Sequence, residues 1–240
     1  MRRVTFLAAC LGLASVAAAQ KGATNHQLLE GSSSGQPASG PFTRVITPTI
    51  VSNTQNLGGS ATLVLDISGE DSWDLLNDPS NTVLVVPLGV GAMMTDIGWD
   101  VNLATIGGSW LSEARFYFDG SDQDLMGLFL TPGIGNNVSG AANFNSGGLI
   151  DLSDNAIPDI PILADGNLYI QLNETFDDVA DAIDANWTAG STLTIGYEPG
   201  GPPPVPTANE WGLIALGATL LGGVVVVTMR RKRALALAAE

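Results

Sequence analysis

The sequence predicts a mostly β protein, an antiparallel β-sandwich of jelly-roll type with one short helix, flanked by an N-terminal signal peptide and one C-terminal transmembrane helix. Three observations lead to this prediction. Hydrophobic and polar residues alternate over 42–197, an apolar run follows two arginines at the start, and a longer apolar run precedes a basic cluster near the end. Period-two alternation is typical of half-buried strands, and the apolar runs are typical of export and membrane insertion.

Residues 1–19 have the three parts of a signal peptide. Arg2 and Arg3 give a positively charged start, and an apolar stretch follows over 4–18. Ala17 and Ala19 supply the small residues expected at the −3 and −1 positions of a signal-peptidase site. We therefore expect cleavage after Ala19. An uncleaved N-terminal anchor helix is the alternative.

Composition excludes several classes of function. The 240 residues carry a formal net charge of −15, with one cysteine and one histidine. These counts exclude a disulfide scaffold, a cysteine-ligated zinc site, and most metal centres and catalytic triads that need imidazole. The acidic balance argues against nucleic acid as a partner, because phosphate binding requires a basic face.

Residues 20–41 are rich in glycine, serine, alanine and proline, with little apolar surface to bury. This composition predicts a flexible leader. His26 lies within the leader, so we expect a solvated side chain there rather than a catalytic one.

The exported domain is predicted over 42–197. Alternation or β-rich composition marks eight candidate strands, near 43–51, 62–67, 82–87, 97–104, 116–118, 125–131, 168–172 and 193–197. Eight or nine strands separated by glycine- and asparagine-rich turns are typical of a sandwich. No repeat of constant period is visible, which argues against a propeller or solenoid.

One segment of the domain has helical spacing instead. Apolar residues at Phe176, Val179, Ile183 and Trp187 predict a short amphipathic helix with acidic residues on its other face. Thr175 is positioned to cap the N-terminus of that helix. We expect the acidic face to be a solvated surface, with a binding role as the alternative.

The C-terminal segments predict a stalk, a membrane span and a cytoplasmic tail. Proline and glycine dominate 198–210, which predicts a stiff spacer. Residues 211–229 carry no charge, and as a helix they reach roughly 28 Å, close to the ~30 Å hydrocarbon core. A basic stop follows within the tail 230–240, at Arg230, Arg231, Lys232 and Arg233. The positive-inside rule then places the acidic domain outside the membrane.

The tail resembles the IPTL-CTERM sorting domain, which shares its plan with the PEP-CTERM tail. The matching positions of the motif Ile-Pro-Thr-Leu-Ser-Glu-Trp-Gly are Pro206, Thr207, Glu210, Trp211 and Gly212. Val205 replaces the isoleucine, and Ala208 and Asn209 depart from the usual leucine and serine. The resemblance covers about the last 36 residues. It implies an exosortase-like membrane transpeptidase as a partner, with transfer of the domain towards the surface. A simple one-pass anchor is the alternative.

One acidic turn is a candidate cation site. Asp119, Asp122 and Asp124, with Ser121 between them, offer oxygen donors of the kind that Ca²⁺ prefers. The spacing is not that of an EF-hand, and a hairpin turn kept soluble by its charge is the alternative. The acidic segment 151–165 has the same two interpretations. No other cofactor is predicted.

The sequence leaves three functions open. We predict a non-enzymatic structural or adhesive protein at the cell surface, since no nucleophile motif, P-loop or histidine cluster is present. A carbohydrate-binding module of the extracellular matrix, bound to polysaccharide through an exposed Trp73, is the second. For this module Trp99, Trp110 and Trp187 are predicted to lie in the core. A secreted hydrolase that uses two carboxylates is the third.

Overall fold

The computed structural model describes residues 27–32, 40–55, 59–120, 126–178 and 182–201. The chain divides into one unit of residues 1–200 and a second of 201–240, of which Gly201 alone is described. The predicted signal peptide, sorting motif, apolar span and basic stop lie outside the described residues. Within the described ranges, no helix has the length and apolar character needed to cross a membrane.

The described residues are mostly strand. In chain order the strands are β1 (Gln27–Ser32), β2 (Arg44–Ile46), β3 (Thr49–Gln55), β4 (Ala61–Asp66), β5 (Glu70–Ser72), β6 (Thr82–Pro87), β7 (Met93–Thr105), β8 (Ala114–Asp119), β9 (Met126–Thr131), β10 (Ala141–Asn145), β11 (Ile150–Asp151), β12 (Ile160–Pro161), β13 (Asn167–Glu174), β14 (Ala185–Trp187) and β15 (Thr192–Glu198). A short 3₁₀ turn, Ser153–Asn155, lies between β11 and β12.

The strands form two sheets. The first has the spatial order β1-β9-β8-β13-β6-β2, and the second the order β3-β4-β15-β7-β14-β5 with β10, β11 and β12 also paired to β7. The pairs are antiparallel apart from the parallel pair β2 and β6. This confirms the prediction of a mostly β, antiparallel-rich fold consistent with a sandwich.

The long strand β7 organises the second sheet. One of its edges pairs with β15 and, farther along, with β14, while β10, β11 and β12 follow one another along the other edge. Thirteen residues at about 3.3 Å each reach far enough to serve several short strands. Its inward positions are Met94, Ile97, Trp99, Val101 and Leu103, all buried.

The core lies between the sheets. Trp187 is the bulkiest of the fully buried side chains in the described residues. It stacks on Phe116 with ring centroids 4.2 Å apart. Trp187 belongs to β14 of the second sheet and Phe116 to β8 of the first. This aromatic pair therefore joins the two sheets directly.

The structure corrects the predicted leader. Part of the segment 20–41 is a strand, since Gln27–Ser32 forms β1 and pairs with β9 from Gln27 opposite Thr131 to Ser32 opposite Met126. Low hydrophobicity predicted flexibility here, but an edge strand obtains much of its stabilisation from ladder hydrogen bonds rather than from burial. His26 itself lies outside the described residues.

The predicted helix near 175–187 is wrong for the residues described there. Thr175 and Phe176 form a bend, and Ala185–Trp187 is strand β14, paired on one side with β5 and on the other with β7. The Thr175 backbone N–H, instead of starting a helix, donates to the Glu113 carbonyl at 3.0 Å. Pairing on both sides of β14 outweighed the weak local preference for helix.

The domain also extends slightly beyond its predicted end at 197. Strand β15 ends at Glu198, and Gly200 still packs against the turn between β6 and β7. A Cβ atom at Gly200 would lie 2.0 Å from the Val90 carbonyl oxygen, so glycine is required at this close approach.

Candidate functional site

The predicted calcium turn is described at one of its three carboxylates. Asp119 ends β8 with 4% of its surface exposed, and its Oδ2 lies 3.5 Å from the Tyr117 hydroxyl. Asp122 and Asp124 lie outside the described residues. The calcium prediction for this turn therefore stays a prediction.

The tryptophans are arranged differently from the prediction. Trp99 and Trp187 are buried as expected, but Trp110 is 44% exposed. It lies in the turn between β7 and β8, where the alternation stops and Leu111 takes the inward position. Trp73, predicted to be exposed, is half-buried, with the Arg44 guanidinium carbon 3.6 Å from its ring centroid.

A groove of about 980 Å³, with both polar and apolar lining, lies on the outer face of the second sheet. The alternation that turns Trp99 and Leu193 inward turns their neighbours outward into this groove. Its lining includes Gly98, Asp100, Asn143, Asn145, Thr192 and Thr194. A Cβ atom at Gly98 would lie 3.1 Å from the Gly148 carbonyl oxygen, so the turn 146–149 closes over β7 at this glycine.

Hydrogen bonds fix the side chains of the groove. The Asn143 amide donates to Asp100 Oδ1 at 2.9 Å and to Asn102 Oδ1 at 3.0 Å across the β7–β10 pair. Ser146 donates to the Gly148 carbonyl at 2.7 Å and accepts from the Trp99 backbone N–H. The groove thus presents held amide, carboxylate and hydroxyl groups, which suits a polar ligand.

A second candidate site lies at one end of the sandwich, where four chain segments meet. Backbone N–H groups of Asp184, Ile106 and Glu174 donate to the carbonyls of Ser72, Asp184 and Asp74 at 3.0, 2.8 and 2.9 Å. These bonds bring together the ends of β5, β7 and β13 and the start of β14. We call this place the acidic end.

Two carboxyl groups are buried at the acidic end. Glu174 is 0% and Asp184 2% exposed. Burial raises the pKa of Glu174 to about 8, against a smaller lowering by the Ser72 hydroxyl, and the negative charges of Asp184 and Glu113 raise it further. Burial also raises the pKa of Asp184, which the Ser109 hydroxyl lowers and the charge of Asp177 raises.

The sequence carried a signal for Glu174 that the strand prediction passed over. Leu168, Ile170 and Leu172 lie at every second position on the inward face of β13. Glu174, two positions after Leu172, is the next residue on that face. Period two therefore places this carboxyl among core residues. Asp184 carried no such signal, because the predicted helix placed it on a solvated face.

The described residues contain no metal site formed by acidic side chains alone. Among them no three His, Cys, Asp or Glu side chains come close enough together to hold an ion. A cation at the acidic end therefore needs oxygens of other kinds besides its two buried carboxylates.

No protein-family model matches the chain, and a search of curated proteins also returned no match.

Proposed function

We propose that the chain is an exported, non-enzymatic protein of the cell surface with a structural or adhesive role. In this proposal a signal peptide is removed after Ala19, a jelly-roll-type sandwich is delivered outside, and the span 211–229 holds it in the inner membrane. An exosortase-like transpeptidase acts on the tail at Pro206, Thr207, Glu210, Trp211 and Gly212, passing the domain to the surface or matrix.

The observation that carries the proposal is the distribution of charge along the chain. Six of nine basic residues stand at the two ends, while 21–210 holds 3 basic and 23 acidic residues. Basic clusters beside apolar runs direct a chain through and into membranes, and Lys and Arg are retained on the cytoplasmic side. A strongly acidic exterior domain stays soluble and meets anionic polymers through bridging divalent cations.

The proposed topology predicts a defined set of products. Expressed in a Gram-negative host, the chain is expected to begin at Gln20, and protease added to spheroplasts is expected to degrade the acidic domain. The measurements are intact-mass spectrometry and immunoblotting of fractions.

Two matched variants test the ends separately. An Ala19→Arg variant is expected to keep its N-terminus, whereas Gln20→Asn is expected to be processed normally. When Arg230, Arg231, Lys232 and Arg233 are replaced by alanine, we expect a mixture of membrane orientations, so that external protease no longer degrades the domain of every molecule. A wild-type chain that retains Met1, or a domain that resists external protease in spheroplasts, contradicts the proposal.

The groove favours a second function, binding of a neutral polysaccharide. Sugars present many hydroxyl groups, and the groove offers fixed acceptors at Asp100 and Asn143 with the hydroxyls of Thr192 and Thr194 beside them. Exposed Trp110 is a separate aromatic surface on which a sugar ring can stack.

Asn143→Ala is expected to weaken retention on a polysaccharide panel about fivefold to tenfold, the usual effect of one or two lost hydrogen bonds. Asn53→Ala, on the exposed strand β3, is the matched control and is expected to bind as wild type. Trp110→Ala reports whether the exposed ring contributes, in place of the half-buried Trp73. Absence of wild-type retention on every neutral glycan excludes this function.

A further inference from the structure

Five buried side-chain oxygens at the acidic end have no hydrogen-bond partner. They are both carboxylate oxygens of Glu174, Oδ2 of Asp184, and the hydroxyl oxygens of Ser72 and Ser109. Buried polar atoms in folded proteins are almost always hydrogen-bonded, and each orphan calls for an explanation. Five orphans at one end of the sandwich indicate a missing shared partner.

The four residues are adjacent through both backbone and side chains. The Asp184 N–H donates to the Ser72 carbonyl at 3.0 Å, which fixes Ser72 beside Asp184. The Ser72 hydroxyl lies near enough to the Glu174 carboxyl, and the Ser109 hydroxyl to the Asp184 carboxyl, to lower the pKa of each acid. Neither pair has the full distance and angle of a hydrogen bond. Both serines are buried, with 0% and 1% of their surfaces exposed.

Positive charge near these carboxyls is sparse. Among the groups that act on Glu174, Arg115 supplies the one cation, while Asp184 and Glu113 add negative charge. Arg115 is committed elsewhere, because its Nε donates to Asn173 Oδ1 at 2.6 Å and its guanidinium lies over the Phe129 ring. Asp177 and Asp178 add further negative charge around Asp184. Buried carboxylates without a committed cation are strongly disfavoured.

We propose that the acidic end binds a divalent cation, Ca²⁺, through the carboxylates of Glu174 and Asp184 and the hydroxyls of Ser72 and Ser109. All these donors are oxygens, which suit hard cations and disfavour zinc or copper. Two carboxylates balance the charge of one divalent ion. Calcium accepts irregular sets of six to eight oxygens, whereas Mg²⁺ demands near-octahedral geometry. This site is separate from the turn 119–124 and does not depend on export or on the sorting tail.

The test compares the thermal unfolding midpoint of the full-length chain, in nonionic detergent, in EDTA and in millimolar Ca²⁺. The wild type is expected to gain about 5–10 °C in Ca²⁺, because a ligand that binds the folded state well above its Kd stabilises by mass action. Asp184→Asn and Ser109→Ala are expected to lose most of that gain. Calorimetric titration with CaCl₂ gives the stoichiometry, expected to fall by one ion in Asp184→Asn.

Asp122→Asn together with Asp124→Asn is the matched control and is expected to keep the gain that belongs to the acidic end. Glu174→Gln is a second test variant, because glutamine has nearly the same size as glutamate. It removes the carboxylate without leaving a cavity that would by itself destabilise the fold. A calcium gain that disappears with Asp122 and Asp124 but survives Asp184→Asn overturns the proposal. An unchanged wild-type midpoint in Ca²⁺ overturns it as well. If Glu174→Gln then raises the midpoint equally in EDTA and in Ca²⁺, a proton rather than a cation satisfies the orphan oxygens.

Discussion

In EDTA, the free energy of unfolding is expected to fall by about 4 kcal/mol as the pH rises from 4.5 to 8.5, through Glu174 alone. Burial raises the pKa of this carboxyl from its ordinary 4.5 to about 8 in the folded chain. The folded state therefore keeps a proton that the unfolded state has released. The stabilisation is complete below pH 4.5, declines between 4.5 and 8, and is lost above 8.

Urea denaturation at several pH values, followed by tryptophan fluorescence, measures this dependence. Glu174→Gln is expected to remove most of the decline and to be more stable than wild type above pH 8, because a buried amide does not ionise. Asp154→Asn, on the exposed 3₁₀ turn, is expected to leave the decline in place. A wild-type stability that is flat across this range, or that rises with pH, contradicts a buried protonated Glu174.

Trp187→Ala is expected to destabilise the chain by about 3–5 kcal/mol, the usual cost of deleting a large aromatic side chain from a core. Trp187 is fully buried and stacks on Phe116 between the two sheets. Its removal leaves a cavity that β14 has little freedom to close, because β14 is paired on both sides. The measurement is the urea midpoint at constant m-value.

Trp110→Ala makes the same chemical change at an exposed position and is the control. Its effect is expected to stay within about 0.5 kcal/mol, as for most surface substitutions. Equal losses in the two variants would mean that Trp187 does not lie in the interface between the sheets.

The strands that the sequence predicted well carry either a continuous apolar run or a sustained alternation of apolar and polar residues. Residues 82–87 were predicted with the bounds of β6, and the alternation around Leu63, Ile97, Ile170 and Ile195 matches β4, β7, β13 and β15. These residues occupy inward positions of a two-sheet core, so hydrophobic burial and local pattern favour the same structure. The cell-surface role and the cation turn at Asp119, Asp122 and Asp124 remain predictions.

Strands β1, β10, β11 and β12 escaped prediction because their two to six residues show no sustained alternation of apolar and polar side chains. Strands β10, β11 and β12 exist because β7 offers them an edge, and β1 because β9 does. Their hydrogen-bond partners lie far away along the chain. Local composition therefore predicted a loop or a leader at these positions, whereas hydrogen bonds to a distant strand make them β-strands.

By itself, the sequence determined the β-rich class of the domain and the inward face of each long strand, because both follow from which residues avoid water. It also indicated that Glu174 points inward, because Glu174 continues the alternation of inward residues along β13. Only the tertiary structure decided that 185–187 is a strand, that Trp110 faces outward, and that Ser72, Ser109, Glu174 and Asp184 meet at one end. Those outcomes depend on contacts between segments that are distant in the chain. The periodicity of residues within one segment contains no information about such contacts.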